Sequence, residues 1–201
     1  NIGEVSGTYI SENSLQNITA VREKIKALYL DLTDSKKVDD VILSLKPDWI
    51  FHLAAMPVVG DSFSKPAETI INNVVAELNL LEAVRNAGLL HSRILIVSSA
   101  DVYGKVEAKD LPIDEDTPFM PTNAYAVSKI AQDFLGLQYA ISYKLQIVRV
   151  RPFNHFGPRQ ATGFVVADWC KKIAQIEKGE IEPKLKVGNL KAKRDFTDVR
   201  D

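Results

Sequence analysis

Tyr125 and Lys129, four residues apart in Tyr125-Ala-Val-Ser-Lys129, are the pair best suited in this sequence to moving a proton. On a helix they lie one above the other on the same face. A free phenol titrates near pH 10 and is a poor base at neutral pH. A neighbouring ammonium favours the phenolate, and a tenfold change in that proton equilibrium is worth about 1.4 kcal/mol. The spacing alone proves little, because it arises by chance in roughly a third of chains this long. An ordinary amphipathic helix is the rival reading, so the surroundings decide. Those surroundings supply Val97-Ser98-Ser99 upstream and Pro152-Phe153-Asn154 downstream.

The elements that must position these groups follow from the hydrophobic pattern. Glu4 to Ile10, Lys26 to Leu32, Trp49 to Leu53, Arg93 to Val97 and Leu145 to Val150 read as strands. A helix over Ser35–Leu45 is predicted behind an Asp34 N-cap. A long helix over Ala67–Ala87, with Ile70, Val74, Leu78, Leu81 and Val84 at helical spacing, stops at Gly88. Asn123 is a cap for the helix bearing Tyr125 and Lys129, beyond a loop with Pro112, Pro118 and Pro121. Strands apolar on both faces and separated by helices indicate a parallel βαβ sheet. Ligands gather at the carboxyl ends of such strands. Ser98-Ser99, Pro152-Phe153-Asn154 and His52-Leu53-Ala54-Ala55 all fall at that edge.

Composition narrows the classes further. With 201 residues and 46% apolar content the chain can bury a real core, and it reads as one domain plus part of another. Its net charge of −1, with acids and bases interspersed, offers no basic stripe for nucleic acid. No apolar run approaches a bilayer span, and no signal peptide is seen. The lone Cys170 sits among apolar residues and is expected to be a buried small side chain. A reducing, cytoplasmic setting fits. His52, His91 and His155 are far apart in sequence, and no Cys/His cluster has metal-ligand spacing, so no metal is expected.

A doubly wound dinucleotide fold also needs a first strand and a Gly-rich turn that lets the backbone approach a pyrophosphate. No such stretch occurs here, and the sequence opens on what reads as the second strand. The expected fold is therefore an α/β, Rossmann-type NAD(P)-binding domain over residues 1–152 without that first strand and turn. Residues 153–201 are read as the start of a smaller substrate-binding region. The parent protein is expected to have about 300 residues.

The ordered set of these motifs resembles the extended short-chain dehydrogenase/reductase family, in its nucleotide-sugar branch. The match runs from Asp31-Leu32 through His52-Leu53-Ala54-Ala55, Asn73, Ser98-Ser99 with Val102-Tyr103-Gly104, and Tyr125 with Lys129. It continues through Pro152-Phe153-Asn154-His155 and Val187-Gly188-Asn189-Leu190 to Arg194-Asp195-Phe196. The family usually follows the Asn with Gly-Thr, where this chain has Ala76-Glu77.

That resemblance implies roles. Ser99 would bond the sugar oxygen at the reacting carbon, Tyr125 would exchange its proton, and Lys129 would bind the nicotinamide ribose and depress the tyrosine pKa. Acid–base help of this kind is typically worth ~10²–10⁴ in rate. Asp31 and the Leu32 amide would contact adenine. Leu53, Ala54 and Ala55 would line the cofactor with Asn73, while Pro152, Phe153 and Asn154 would border nicotinamide and sugar. Val165 would contact the substrate, and Arg194 would pair with its diphosphate through a bidentate fork. Asp31 as a turn cap and Arg194 as an ion-pair partner of Asp195 or Asp198 are the structural alternatives.

Three reactions share such a scaffold. A 4,6-dehydratase resembling this chain would use a Glu two residues after the hydroxyl residue. Here Ala100-Asp101 offers a carboxylate roughly 1.5 Å shorter, and ~1 Å of misplacement can cost about 10² in rate. A 4-epimerase needs no carboxylate there. Gly104-Lys105, Leu111-Pro112-Ile113, Phe164 to Asp168 and Val187 to Asp201 most resemble the GDP-4-keto-6-deoxy-D-mannose reductase group. This implies NAD(P)H-dependent reduction at sugar C4 to GDP-D-rhamnose, with Tyr125 as general acid. A non-catalytic dinucleotide-binding module is the remote alternative. Glu12 beyond the first strand points to NADH ahead of NADPH, with Arg22 able to fold back toward it. The resemblance implies a homodimer built on the helices of residues 67–87 and Tyr125.

Overall fold

The computed structural model describes residues 3–57 and 59–201, and the chain divides into two units at the Pro152–Phe153 bond. In the larger unit, β1 (Ser6–Tyr9) pairs in parallel with β2 (Lys26–Tyr29). A second parallel sheet runs in the order β3 (Trp49–His52), β4 (Arg93–Val97), β5 (Gln146–Val150). Its register sets Trp49 opposite Arg93 and Arg93 opposite Gln146. Among the described residues, four α-helices intervene: α1 (Ser35–Leu45), α2 (Val59–Ser64), α3 (Pro66–Asn86) and α4 (Ala124–Tyr143). A 3₁₀ stretch, Glu12–Lys24, joins β1 to β2 and buries none of its residues.

Helix ends follow local chemistry. Asp34 accepts from Lys37 N at 3.2 Å and Asn123 accepts from Ala126 N at 2.7 Å, so each start has a partner for an orphan N–H. Pro66 opens α3, where a missing N–H costs nothing. Gly88, at φ +68°, turns the chain out of it.

The core lies on one side of the sheet. Ile94 and Ile96 of β4, with Ile50 and Ile147 beside them, pack against Leu80, Leu81 and Val84 of α3, Val38 and Ile42 of α1, and Tyr139 of α4. Each fully buried aliphatic side chain contributes ~1.5–3 kcal/mol. On α3 the predicted stripe is only half right. Leu81 and Val84 are buried, but in the first half of the helix Thr69, Asn73, Ala76 and Glu77 take the inward positions, leaving Ile70, Val74 and Leu78 at the margin. That half faces α4, whose Ser128 and Gln132 bond Asn73.

Two sequence expectations fail. The strands are not buried on both faces: Trp49, Phe51 and Val148 are about three-fifths exposed (59%, 63% and 59%). The described helices cover the opposite face, and Arg93 partly shields Trp49 by stacking 4.7 Å from its ring centre. Cys170 is exposed rather than buried. It lies on α5 (Val165–Glu177) of the smaller unit, a helix with no buried residue. In that unit β6 (Asn154–Phe156) pairs in parallel with β7 (Phe196–Asp198).

Candidate active site

Tyr125 and Lys129 occupy the first two turns of α4, where the Asn123 cap fixes the helix start and hence their common face. Lys129 is buried, and its Nζ donates to Val97 O and to Gln132 Oε1, both at 2.8 Å. The ammonium sits 5.9 Å from the Tyr125 ring centre. Burial pulls the Lys129 pKa down to about 8, against a smaller opposing pull from the Glu77 carboxyl.

The sequence predicts a depressed tyrosine, and the structure reverses that prediction. Burial raises the Tyr125 pKa, a hydrogen bond with the Ser99 hydroxyl works the other way, and the Asp101 carboxylate adds to the rise. Burial is the largest of these effects and decides the direction, while the Lys129 ammonium bonds the neutral Val97 O and Gln132 Oε1. Tyr125 is thus a phenol that keeps its proton at neutral pH, beside a serine hydroxyl.

Ser99 stands just past β4. Ser98 locks the strand end, its N–H donating to Val150 O at 2.8 Å and its hydroxyl to Lys129 O at 3.1 Å. Ser99 then caps the 3₁₀ turn Ala100–Tyr103, accepting from Asp101 N at 3.2 Å. Gly104 closes that turn at φ +61°, and a Cβ there would lie 1.9 Å from Met120 O, so only glycine fits. Tyr103 is buried and accepts from Arg151 at 3.0 Å, which packs it beneath the turn. Arg151 also binds Asp133 of α4 through two hydrogen bonds, at 2.7 and 3.1 Å, and Arg149 binds the same carboxylate. Turn, helix and β5 are thereby tied together under Ser99 and Tyr125.

The other residues predicted in this unit follow the carboxyl ends of β2, β3 and β5, with Asn73 on α3. Asn73 is fully buried, with its Oδ1 accepting from Met56 N at 2.7 Å and its Nδ2 donating to Ser128 Oγ at 3.0 Å. It anchors the loop after β3, in which Leu53 and Ala54 are exposed and Ala55 half-buried. Six residues on, about 9 Å along the axis, Asn79 donates to Leu32 O at 2.9 Å and holds the loop after β2. Asp31 in that loop accepts from the Thr33 N–H at 2.9 Å and hydroxyl at 2.7 Å, so it also serves as a turn cap. Pro152 O accepts from Ala100 N at 3.0 Å. Small or exposed side chains along an edge of strand ends, with an outward Asp, suit a dinucleotide; Asp31, Leu53, Ala54 and Lys129 are the residues that would hold it. Among the described residues, no group of three His, Cys, Asp or Glu could hold a metal ion.

Phe153, Asn154, Val165 and Arg194 belong to the smaller unit. Asn154 is exposed and donates to Asp195 O at 3.1 Å, Phe153 and Val165 are exposed, and Arg194 is exposed with a bond to Lys193 O at 3.0 Å. Asp198 pairs with Arg200, not Arg194. His155 Nδ1 lies 3.1 Å from Phe153 O. Sequence reasoning missed Gln132, Glu77, Asp133, Arg149 and Arg151. Gln132, three residues after Lys129, carried the one readable signal, because i and i+3 are neighbours on a helix.

Residues 4–201 match the family described as GDP-mannose 4,6 dehydratase. The chain belongs to that family, within the extended short-chain dehydrogenases/reductases. A GDP-6-deoxy-D-mannose reductase of Pseudomonas aeruginosa is 40% identical over 85% of this chain and 56% of its own length. A human GDP-mannose 4,6 dehydratase is 34% identical over 90% of this chain and 48% of its own. The chain therefore spans about half the length of the curated relatives it matches. A Pseudomonas aeruginosa structure complexed with NADPH superposes with a TM-score of 0.82 at 37% identity, covering 94% of this chain and 65% of that one. A UDP-N-acetylglucosamine 4-epimerase of Methanobrevibacter ruminantium, 28% identical, gives the same TM-score of 0.82 over 98% of this chain and 62% of its own. The Rossmann-type fold is thus shown, and fold alone does not separate the reactions of this family.

Proposed function

We propose that this chain carries the proton-transfer site of an NAD(P)H-dependent reductase acting on the C4 keto group of GDP-4-keto-6-deoxy-D-mannose, giving GDP-D-rhamnose. The observation that carries the reading is the meeting of the Tyr125 hydroxyl with Ser99 past the end of β4, with the Lys129 ammonium 5.9 Å from the Tyr125 ring centre. Reduction of a ketone needs an acid that still holds its proton when negative charge develops on the oxygen. An oxidation-first reaction, as in a dehydratase or epimerase, needs a base at the same atom. The identity to a relative named as a reductase supports the same choice.

In this reading Tyr125 Oη donates its proton to sugar O4, and Ser99 Oγ hydrogen-bonds that oxygen and orients it. Lys129, buried and charged, stabilises the phenolate left behind. A bound reduced nicotinamide would supply the hydride. Asp31 and the Leu32 amide hold the adenine end, while Leu53, Ala54, Ala55 and Pro152 shape the cofactor edge and Asn73 fixes it from behind. Of residues 153–201, Phe153 would contact the cofactor and Asn154, Val165 and Arg194 the nucleotide sugar, with Arg194 on its diphosphate. Asp101, exposed beside Ser99, is the carboxylate a dehydratase would use.

NADH is the preferred cofactor on the strength of Glu12, which accepts from the Tyr9 hydroxyl at 3.0 Å just past β1. Arg22 lies near enough for its charge to act on Tyr9 and is the residue that would accept a 2′-phosphate. A homodimer through α3 and α4 is supported by exposed Ile71 and by Val127, Phe134 and Ile141, which recur every seven residues along α4. A cytoplasmic location is part of the proposal. No helix among the described residues is long and apolar enough to cross a membrane.

The test gives the full-length protein NADH or NADPH with GDP-mannose and the 4-keto-6-deoxy sugar in separate reactions. Cofactor oxidation with the keto sugar alone, fastest with NADH, is the expected result. Conversion of GDP-mannose to the keto sugar would replace this reading with a dehydratase.

A further inference from the structure

Behind Lys129 lies a carboxyl group for which the proposed reaction has no use. Glu77, on α3, is fully buried, and neither of its carboxylate oxygens has a hydrogen-bond partner among the described residues. A buried polar atom without a partner typically costs ~1–3 kcal/mol, and a charged one more, so such a group calls for a reason. Its surroundings are specific. His52 Nε2 of β3 lies 3.9 Å from Glu77 Oε2, too far to bond. Gln132 bridges the cluster, its Nε2 3.3 Å from the same His52 nitrogen and 3.1 Å from Asn73 O, while its Oε1 holds the Lys129 ammonium at 2.8 Å.

The groups facing Glu77 are His52 from β3 and Lys129 and Asp133 from α4. Asp133 is already neutralised by Arg149 and Arg151. His52 is held uncharged, since burial, helped by Lys129, pulls its pKa down to about 4. Among the described residues of the cluster, Lys129 is therefore a cation without a carboxylate in salt-bridge contact, and Glu77 a carboxyl without a cation in such contact.

We infer that Glu77 is a positioning residue for Lys129, acting across the buried Gln132–His52 cluster to keep the ammonium charged where Gln132 holds it, 5.9 Å from the Tyr125 ring centre. This rests on the acid–base reading of Tyr125 and Lys129. The balance of charge explains how it would work. Burial lifts Glu77 to about 8, against opposing pulls from Lys129 and the nearby Gln132 amide. It is thus mostly neutral at pH 7 and gains charge in the same range in which burial would strip the proton from Lys129. Each ionisation favours the other, so the pair titrates together and the ammonium survives to higher pH than burial alone would allow.

The experiment is the pH profile of kcat/KM and of kcat for the full-length protein and its Glu77→Gln variant, which keeps the shape and removes the charge. Nicotinamide cofactor binding is followed by fluorescence across the same range. The variant's alkaline limb should move down by about one pH unit, with the loss appearing in kcat more than in KM for the sugar. A purely structural role would lower the profile without moving its limb. Superimposable limbs, after each is scaled to its own maximum, would overturn the inference. Glu77→Thr, smaller but still polar, is read in the same way if Glu77→Gln does not fold. If both unfold at pH 7 the inference also fails, because a neutral carboxyl there should be replaceable. Tyr125→Phe run alongside separates the two ideas. Its retained activity would sink the acid–base reading itself, whereas its inactivity with an unmoved Glu77→Gln limb would sink only the role of Glu77.

Discussion

Two carboxyl groups, Glu77 on α3 and Asp133 on α4, are both completely buried, yet they live in opposite circumstances. Asp133 receives Arg149 and Arg151, and Arg151 reaches on to Tyr103 and to Glu115 O at 3.0 Å, so the carboxylate is saturated and knits three segments together. Glu77 has only an uncharged imidazole at 3.9 Å and the approach of Gln132. The first is a clamp that fixes the floor of the site. The second is a titratable group left without a hydrogen-bond partner among the described residues, beside the lysine of the proposed proton-transfer pair. Burial alone therefore says nothing about role; the partners do.

The largest effect should come from breaking the clamp. Asp133→Ala strands two guanidinium groups in a partly buried setting, and removing one partner of such a network typically costs ~3–5 kcal/mol. Denaturant unfolding should show that loss; a loss below ~1 kcal/mol would mean the clamp is ornamental. Glu77→Gln should behave differently. Because the folded state holds the Glu77 proton more tightly than the unfolded chain, wild-type stability is complete below about 4.5 and falls as pH rises toward about 8. The variant lacks that fall. Its stability relative to wild type should therefore improve by ~1–3 kcal/mol from pH 5 to pH 8, seen as a widening gap in melting temperature. A gap that stays flat would show that Glu77 is already ionised and paired. The smallest effect belongs to the start of α4, the helix that carries Asp133 and, with it, Lys129 and Gln132 beside Glu77. Asn123→Ala removes the α4 cap and should cost ~1 kcal/mol, with cofactor-dependent turnover falling as Tyr125 loosens.

The parts legible in sequence were those governed by local rules. The α1 boundaries, Ser35 to Leu45, and both the Asp34 and Asn123 caps followed from side chains that bond the backbone three residues on. Ser99, Tyr125 and Lys129 followed from strand-end and i, i+4 geometry. The polar cluster did not, because Glu77, Gln132 and Asp133 look in a hydropathy pattern like the solvated side of their helices. Their burial depends on which helix faces meet across α3 and α4, a non-local fact. The open faces of Trp49, Phe51 and Val148 were misread for a related reason: apolarity on two faces shows what a strand can bury, not what covers it. The direction of the Tyr125 pKa change was misread because the i, i+4 rule places Lys129 on the right face but says nothing of the burial that raises the phenol.

The central claim is that Tyr125 is the acid that protonates the reduced sugar. Single-turnover oxidation of bound NAD(P)H by the 4-keto-6-deoxy sugar, comparing the full-length protein with Tyr125→Phe, tests it directly. The account predicts a slowing of ~10²–10⁴ with cofactor affinity unchanged; a Phe variant that turns over within a few-fold of wild type would contradict it.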